Sequence, residues 1–247
     1  MDQKSNLDRI QIVLVGTQDG ANVGSVCRAM KTMGITRLVL VGDRQYDENR
    51  VRTLALHARD VWENAVRFES LSEALATSVL TVASTRRQGK FRKDSVMNPE
   101  QLASRVQGTG EGIVSIVFGR ESDGLTDEEV AQCATVVSIP TSDDFPSLNL
   151  SQAVQIITYN LFDKIKTWPI QAVPVEQARC EEVAVTATSA MDAIGYFKQA
   201  HEKLWTFRFL RDVFVRAALT ESEIQKMEKV FVKMSRIKAH KESKEDV

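Results

Sequence analysis

The sequence predicts an α/β layer fold organised around a mainly parallel sheet. Short β-branched apolar runs recur through the first 140 residues, several end in glycine, and segments of helical periodicity separate them. Residues 10–16 (IQIVLVG) and 37–42 (RLVLVG) read as buried strands. Between them Val23, Val26, Cys27, Met30 and Met33 recur at helical spacing, with Asn22 as the candidate cap and Gly34 as the stop. Residues 79–83, 113–119 and 136–140 predict further strands, and residues 71–77, 99–106 and 126–133 the intervening helices. The last of these opens with a Thr-x-x-Glu capping box at Thr126 and Glu129.

An amphipathic helix over residues 149–166 would close this first domain, 1–166. Composition then shifts, with Pro169, Pro174 and many small residues, so residues 167–190 are expected to be a linker. Residues 191–204 and 221–237 are helical by period and residues 207–218 mix aromatic and basic side chains, which suggests a helical C-terminal extension, 191–247. It carries twelve basic against nine acidic side chains, a local net of +3, and its Arg211 and Arg216 are candidate RNA contacts.

Bulk properties exclude several classes. The chain has 247 residues, 43% hydrophobic and 26% charged, an ordinary globular composition. No apolar run approaches the roughly 20 residues of a membrane span, and the first ten residues hold no signal-like apolar core. Cys27, Cys133 and Cys180 are scattered without metal or disulfide spacing, which fits a reducing cytoplasm. His57, His201 and His240 stand alone, so no metal site is expected. No Walker loop, dinucleotide fingerprint or nucleophile elbow is present.

The net charge of −1 argues against indiscriminate nucleic-acid binding but averages over local asymmetry. Residues 84–95 (STRRQGKFRKDS) set Arg86, Arg87, Lys90, Arg92 and Lys93 against Asp94, a local net of +4. With Phe91 among them, these side chains suit either a solvated loop or a phosphate-tracking patch, with Arg87, Lys90, Arg92 and Lys93 as RNA-binding candidates.

Three segments carry chemistry-bearing residues at strand ends and helix starts, where open α/β sheets hold ligands. In residues 21–34 (ANVGSVCRAMKTMG), Gly24 permits close approach to a first helical turn and Arg28 shares a face with Ser25. In residues 113–125 (IVSIVFGRESDGL), a buried strand ends at Gly119-Arg120-Glu121. In residues 136–157 (VVSIPTSDDFPSLNLSQAVQII), Ser147 or Asn149 caps a helix, and Leu148 and Leu150 offer an apolar wall. Each segment alone reads equally as a capped helix or an ordinary turn.

Together and in this order, the three motifs resemble the SPOUT superfamily of S-adenosylmethionine-dependent RNA methyltransferases, and within it the TrmJ-like tRNA ribose 2′-O-methyltransferases. The resemblance implies a trefoil knot over about residues 119–161, a homodimer, and methylation of the 2′-hydroxyl of nucleotide 32 in the anticodon loop. It implies a cofactor pocket of Ser84, Thr85, Arg86, Gly119, Ile139, Pro146, Ser147, Leu148 and Asn149. Asn22, Arg28 and Glu121 would then be the catalytic set, with Arg28 beside the target ribose. The rival expectation is a SPOUT-like RNA-binding or assembly protein without methyl transfer.

Overall fold

A computed structural model describes residues 6–86, 96–165 and 173–242, the backbone alone at 200 and 237–242. Seven strands form one sheet: β1 (Ile10–Val15), β2 (Arg37–Val41), β3 (Val66–Phe68), β4 (Ser78–Ser84), β5 (Val96–Met97), β6 (Ile113–Phe118) and β7 (Thr135–Val137). Their order is β3-β2-β1-β6-β4-β7-β5, and every neighbouring pair is parallel. The expected parallel α/β sheet is therefore what forms, and all C-terminal strand ends lie on one rim.

The strand residues split by parity, as the two-residue period requires. Ile10, Ile12 and Leu14 face a core shared with α1 (Gly20–Thr32), α2 (Glu48–Ala55), α5 (Pro99–Gln107) and α7 (Leu150–Ile165). Val13 and Val15 face a second core with α4 (Leu71–Leu75) and α6 (Asp127–Gln132). Both faces are covered, which is why these strands read as unbroken apolar runs. Capping boxes start α4, α5 and α6 at Ser70, Asn98 and Thr126.

Four expectations need correction. The cap of α1 is Asp19, not Asn22: Asp19 accepts from the Ala21 amide, which leaves the Asn22 side chain in the first turn free for the site. The region between β2 and β4 holds α2, α3 (Arg59–Glu63) and β3, which the periodicity did not mark because they are short and charged. The expected linker contains α8 (Gln177–Ala193), whose Cys180, Val183, Ala184 and Ala187 are buried. Small residues there serve close helix packing rather than flexibility. Finally, residues 191–204 are not one helix: the chain turns at Gly195, at φ +70°, before α9 (Ala200–Ala217) begins.

Gln177 docks α8 beside α4 and α6. It accepts from Thr81 Oγ1 at 2.6 Å and donates to the Gln132 carbonyl at 3.1 Å. Arg179 bonds Glu182 of its own helix and Glu221 and Glu228 of α10 (Glu221–Glu242), tying α8 to α10.

Candidate active site at the strand rim

Three turns leaving β4, β6 and β7 line a cleft open to solvent, with a cavity volume of about 170 Å³. Its walls include Ser84, Thr85, Arg86, Gly119, Ile139, Pro146, Ser147 and Leu148. Eight of the nine expected cofactor residues thus meet in one cavity. Asn149, the ninth, is not on its wall.

Gly119 lines the cleft and also makes room for its own chain. A Cβ there would lie 2.1 Å from the Gly124 carbonyl carbon and 2.3 Å from the Leu125 amide, so the glycine admits its own returning loop. That loop is closed by reciprocal main-chain bonds between Arg120 and Gly124, at 3.2 and 2.9 Å, with Gly124 at φ +70°. Arg120 pairs not with its neighbour Glu121 but bidentately with Glu129 of α6, at 2.9 and 3.0 Å. The Glu129 hydrogen bond holds the guanidinium above its ordinary pKa, and the pair braces the loop.

Glu121 points the other way and is gripped by three donors. The Gln18 amide reaches Oε2 at 2.8 Å, while the Asp19 amide and Asn22 Nδ2 reach Oε1 at 3.3 and 2.9 Å. Asn22 in turn accepts from Asn149 Nδ2 at 3.0 Å through its own Oδ1. A continuous chain Glu121–Asn22–Asn149 therefore joins all three sequence motifs. Asn149 belongs to this chain, which corrects its expected place on the cavity wall, and its Oδ1 also receives the Ser151 amide at the start of α7.

Arg28 lies on the exposed side of α1 and makes no side-chain hydrogen bond or ion pair among the described residues. It lines a groove with Ser25, Thr32, Leu54, Leu148 and Gln152. Leu148 is common to this groove and to the cleft, so the two adjoin at that side chain. Gly24 was expected to let an anion near the helix start. Its missing side chain instead admits α2, since a Cβ would lie 2.3 Å from the Val51 carbonyl oxygen.

The remaining candidates divide. Arg87, Lys90, Arg92 and Lys93 lie outside the described residues. Arg211 is corrected: it is 6% exposed, pairs with Asp212 at 2.8 Å and donates to the Ala131 carbonyl, so it holds α9 to the end of α6. Arg216 is half-buried and donates to the Ala134 carbonyl at 3.4 Å. The sequence reading missed the main-chain donors of Gln18 and Asp19, because backbone groups have no residue signature. It also missed Tyr46, whose hydroxyl donates to the Thr17 carbonyl at 3.0 Å.

With this geometry in hand, the comparisons are consistent. Residues 9–159 match the SpoU rRNA Methylase family, and the chain belongs to it. Several of its relatives are TrmJ enzymes. The tRNA (cytidine-2′-O-)-methyltransferase TrmJ of Methanocaldococcus jannaschii is 37% identical over 63% of this chain and 68% of its own length. The tRNA (cytidine/uridine-2′-O-)-methyltransferase TrmJ of Pectobacterium atrosepticum is 40% identical over 63% of this chain, a stretch that spans only 64% of that relative. The corresponding Yersinia enterocolitica protein is 32% identical over 88% of both chains. The crystal structure of TrmJ from Z. mobilis superposes with a TM-score of 0.72 at 30% identity, covering 91% of this chain and 98% of that one. No described helix is long and apolar enough to cross a membrane.

Proposed function

We propose that this chain methylates a ribose 2′-hydroxyl of tRNA, at nucleotide 32 of the anticodon loop, using S-adenosylmethionine. The observation that carries the reading is the juxtaposition across Leu148 of the turn-lined cleft and the groove that presents Arg28. The cleft suits the cofactor: Ile139, Pro146, Leu148 and Leu150 offer apolar contact to an adenine face. Ser84, Thr85, Ser147 and Arg86 offer polar groups for a ribose and a carboxylate. Bound there, S-adenosylmethionine would supply an electrophilic sulfonium methyl.

The protein's own residues then have mainly to orient the nucleophile. Arg28, exposed and unpaired among the described residues, holds the phosphate next to the target ribose and stabilises the oxygen as its proton passes to that phosphate or to Glu121. A guanidinium is protonated throughout the working range of proteins and is a poor general base, so Arg28 acts as a cation. Asn22, locked between Glu121 and Asn149, fixes the polar floor beside it. An unpaired loop nucleotide suits such a site, because it can be splayed out of its stack.

The same reading includes the family's knot over about residues 119–161, a cytoplasmic setting and a homodimer. The apolar faces of α1 and α7 are spent within the protomer, on Val23, Val26, Met30, Val154 and Ile157. The exposed Leu54 and Tyr159, with Ile156 beside Arg28, are the better interface candidates. Catalysis resides in residues 1–165, and the helices from Gln177 onward, with the basic 84–95 segment, hold the tRNA body.

The test is methylation of unmodified tRNA by the full chain with S-adenosylmethionine, with the modified nucleotide mapped by nuclease digestion and mass spectrometry. A 2′-O-methyl group at nucleotide 32 supports the reading, and modification elsewhere overturns the position alone. Cofactor binding with tRNA binding but no methyl transfer would favour the non-catalytic alternative.

A further inference from the structure

The segment that begins α2 grips the short loop between β1 and α1 at both ends. At one end the Tyr46 hydroxyl donates to the Thr17 carbonyl at 3.0 Å. At the other, Arg50 pairs with Asp19 Oδ2 at 3.0 Å, while Asp19 Oδ1 caps α1. Between these anchors lie the two amides, of Gln18 and Asp19, that hold the Glu121 carboxylate. Gly16 precedes the loop at φ +58°, a left-handed turn that aims the amides back across the rim.

We propose that Tyr46, with a smaller contribution from Arg50, is a positioning residue of the methyl-transfer reaction, acting through the residue 17–19 loop on Glu121 and hence on Asn22. The inference rests on the function proposed above and assigns a second layer to that site. Neither residue lies in the three motifs.

Physical differences between the anchors decide their rank. The Arg50–Asp19 pair has side-chain exposures of 57% and 41%, so solvent screens it and it contributes little. The Tyr46 bond is partly buried and its ring is fixed on two sides. Trp62 meets the ring edge-on at a centroid distance of 5.9 Å, and the Arg67 guanidinium sits 5.7 Å from the ring centre and 5.3 Å from that of Trp62. Burial, only partly countered by Arg67, raises the phenol pKa, which keeps the hydroxyl a donor through neutral pH. A ring so held cannot follow the loop if the loop drifts. The Thr17 carbonyl, and with it the next two amides, is therefore set by the α2 segment.

Tyr46→Phe tests this directly, because it deletes one hydroxyl and keeps the ring packing. The expected result is a fall of about tenfold in kcat, the scale of a modest misplacement of reacting groups. The KM for tRNA and the Kd for S-adenosylmethionine should stay within about twofold, because uniform binding is untouched. Amide hydrogen exchange, read at Gln18 and Asp19, should speed up while the strand amides of β1 stay protected. Arg50→Gln should show the same pattern with a smaller fall. Unchanged kcat in Tyr46→Phe, or a fall matched by lost cofactor affinity, would overturn the proposal. So would unchanged exchange at both amides. Absence of tRNA methylation by the unsubstituted chain would instead sink the function itself.

Discussion

The strand rim and the C-terminal helices treat their charged side chains in opposite ways. At the rim, Glu121 is held by three amide donors and Arg120 is paired with Glu129, while Arg28 is left exposed in a groove beside the cleft. In the helices, Arg211 turns inward to Asp212 and a main-chain carbonyl, and Arg179 is consumed by three glutamates across α8 and α10. Both regions hold several arginines in sequence, yet among the described residues it is the rim that presents an unpaired cation, Arg28, beside a cavity. A basic count therefore says little about nucleic-acid contact until the burial of each residue is known.

The sharpest way to break the comparison is Arg28→Ala. Methylation should fall by about a thousandfold or more if this cation serves the transition state. Cofactor affinity, measured by calorimetry, should stay within a few-fold, because Arg28 is absent from the cleft wall. Arg28→Lys should recover little if bidentate phosphate contact matters. A large loss of cofactor binding in folded Arg28→Ala would remove the distinction between groove and cleft.

Gly119→Val comes next. A Cβ lying about 2.1 Å from the Gly124 carbonyl carbon forces the residue 120–124 loop to move. We expect cofactor binding to be lost together with about 2–4 kcal/mol of stability, the scale of overpacking and strained backbone. Normal stability with blocked binding would mean that the glycine faces ligand rather than its own loop.

Arg211→Ala measures the other region. It removes the Arg211 pair from Asp212, itself 6% exposed, and the bond to the Ala131 carbonyl, and should cost about 1–3 kcal/mol in denaturant unfolding. The salt dependence of tRNA binding by the variant that stays folded should be unchanged. Arg208→Ala, on the exposed side of α9, should leave stability within about 0.5 kcal/mol. If that side of the helix meets phosphate, the same change lowers the salt slope by about one. Such point changes are better probes than truncation after Lys166, which would strip the buried Thr81 hydroxyl of its Gln177 partner.

The smallest effect concerns thiols. Burial pushes Cys27 and Cys180 up to about 12 from an ordinary value of 9.0. Both should therefore resist a disulfide reagent at pH 8 in the folded protein and react promptly once it is unfolded. Their folded pKa exceeds the unfolded one, so the neutral-thiol contribution to stability is complete below pH 9 and declines as pH rises toward 12. Fast labelling of the native protein at pH 8 would show that these cores open.

By itself the sequence determined what depends on local pattern. The strands at 10–15, 37–41, 78–84 and 113–118 and most of the capped helices follow from periodicity and caps, and the eight cleft residues from the family resemblance that the three motifs carry. It could not decide partners that are distant along the chain. That Asp19 rather than Asn22 caps α1, that Arg120 answers to Glu129, and that Gly24 and Gly119 make room for neighbouring backbone all depend on what folds against them. The helix at 177–193 escaped notice for the same reason: small residues look like a linker until α8 is seen packed against α9 and α10, with Gln177 filling a polar gap over β4. Local propensity is carried by neighbouring residues and is legible in one dimension. Burial, pairing and the direction of a guanidinium are set by contacts across the sheet, and only the tertiary structure brings those atoms together.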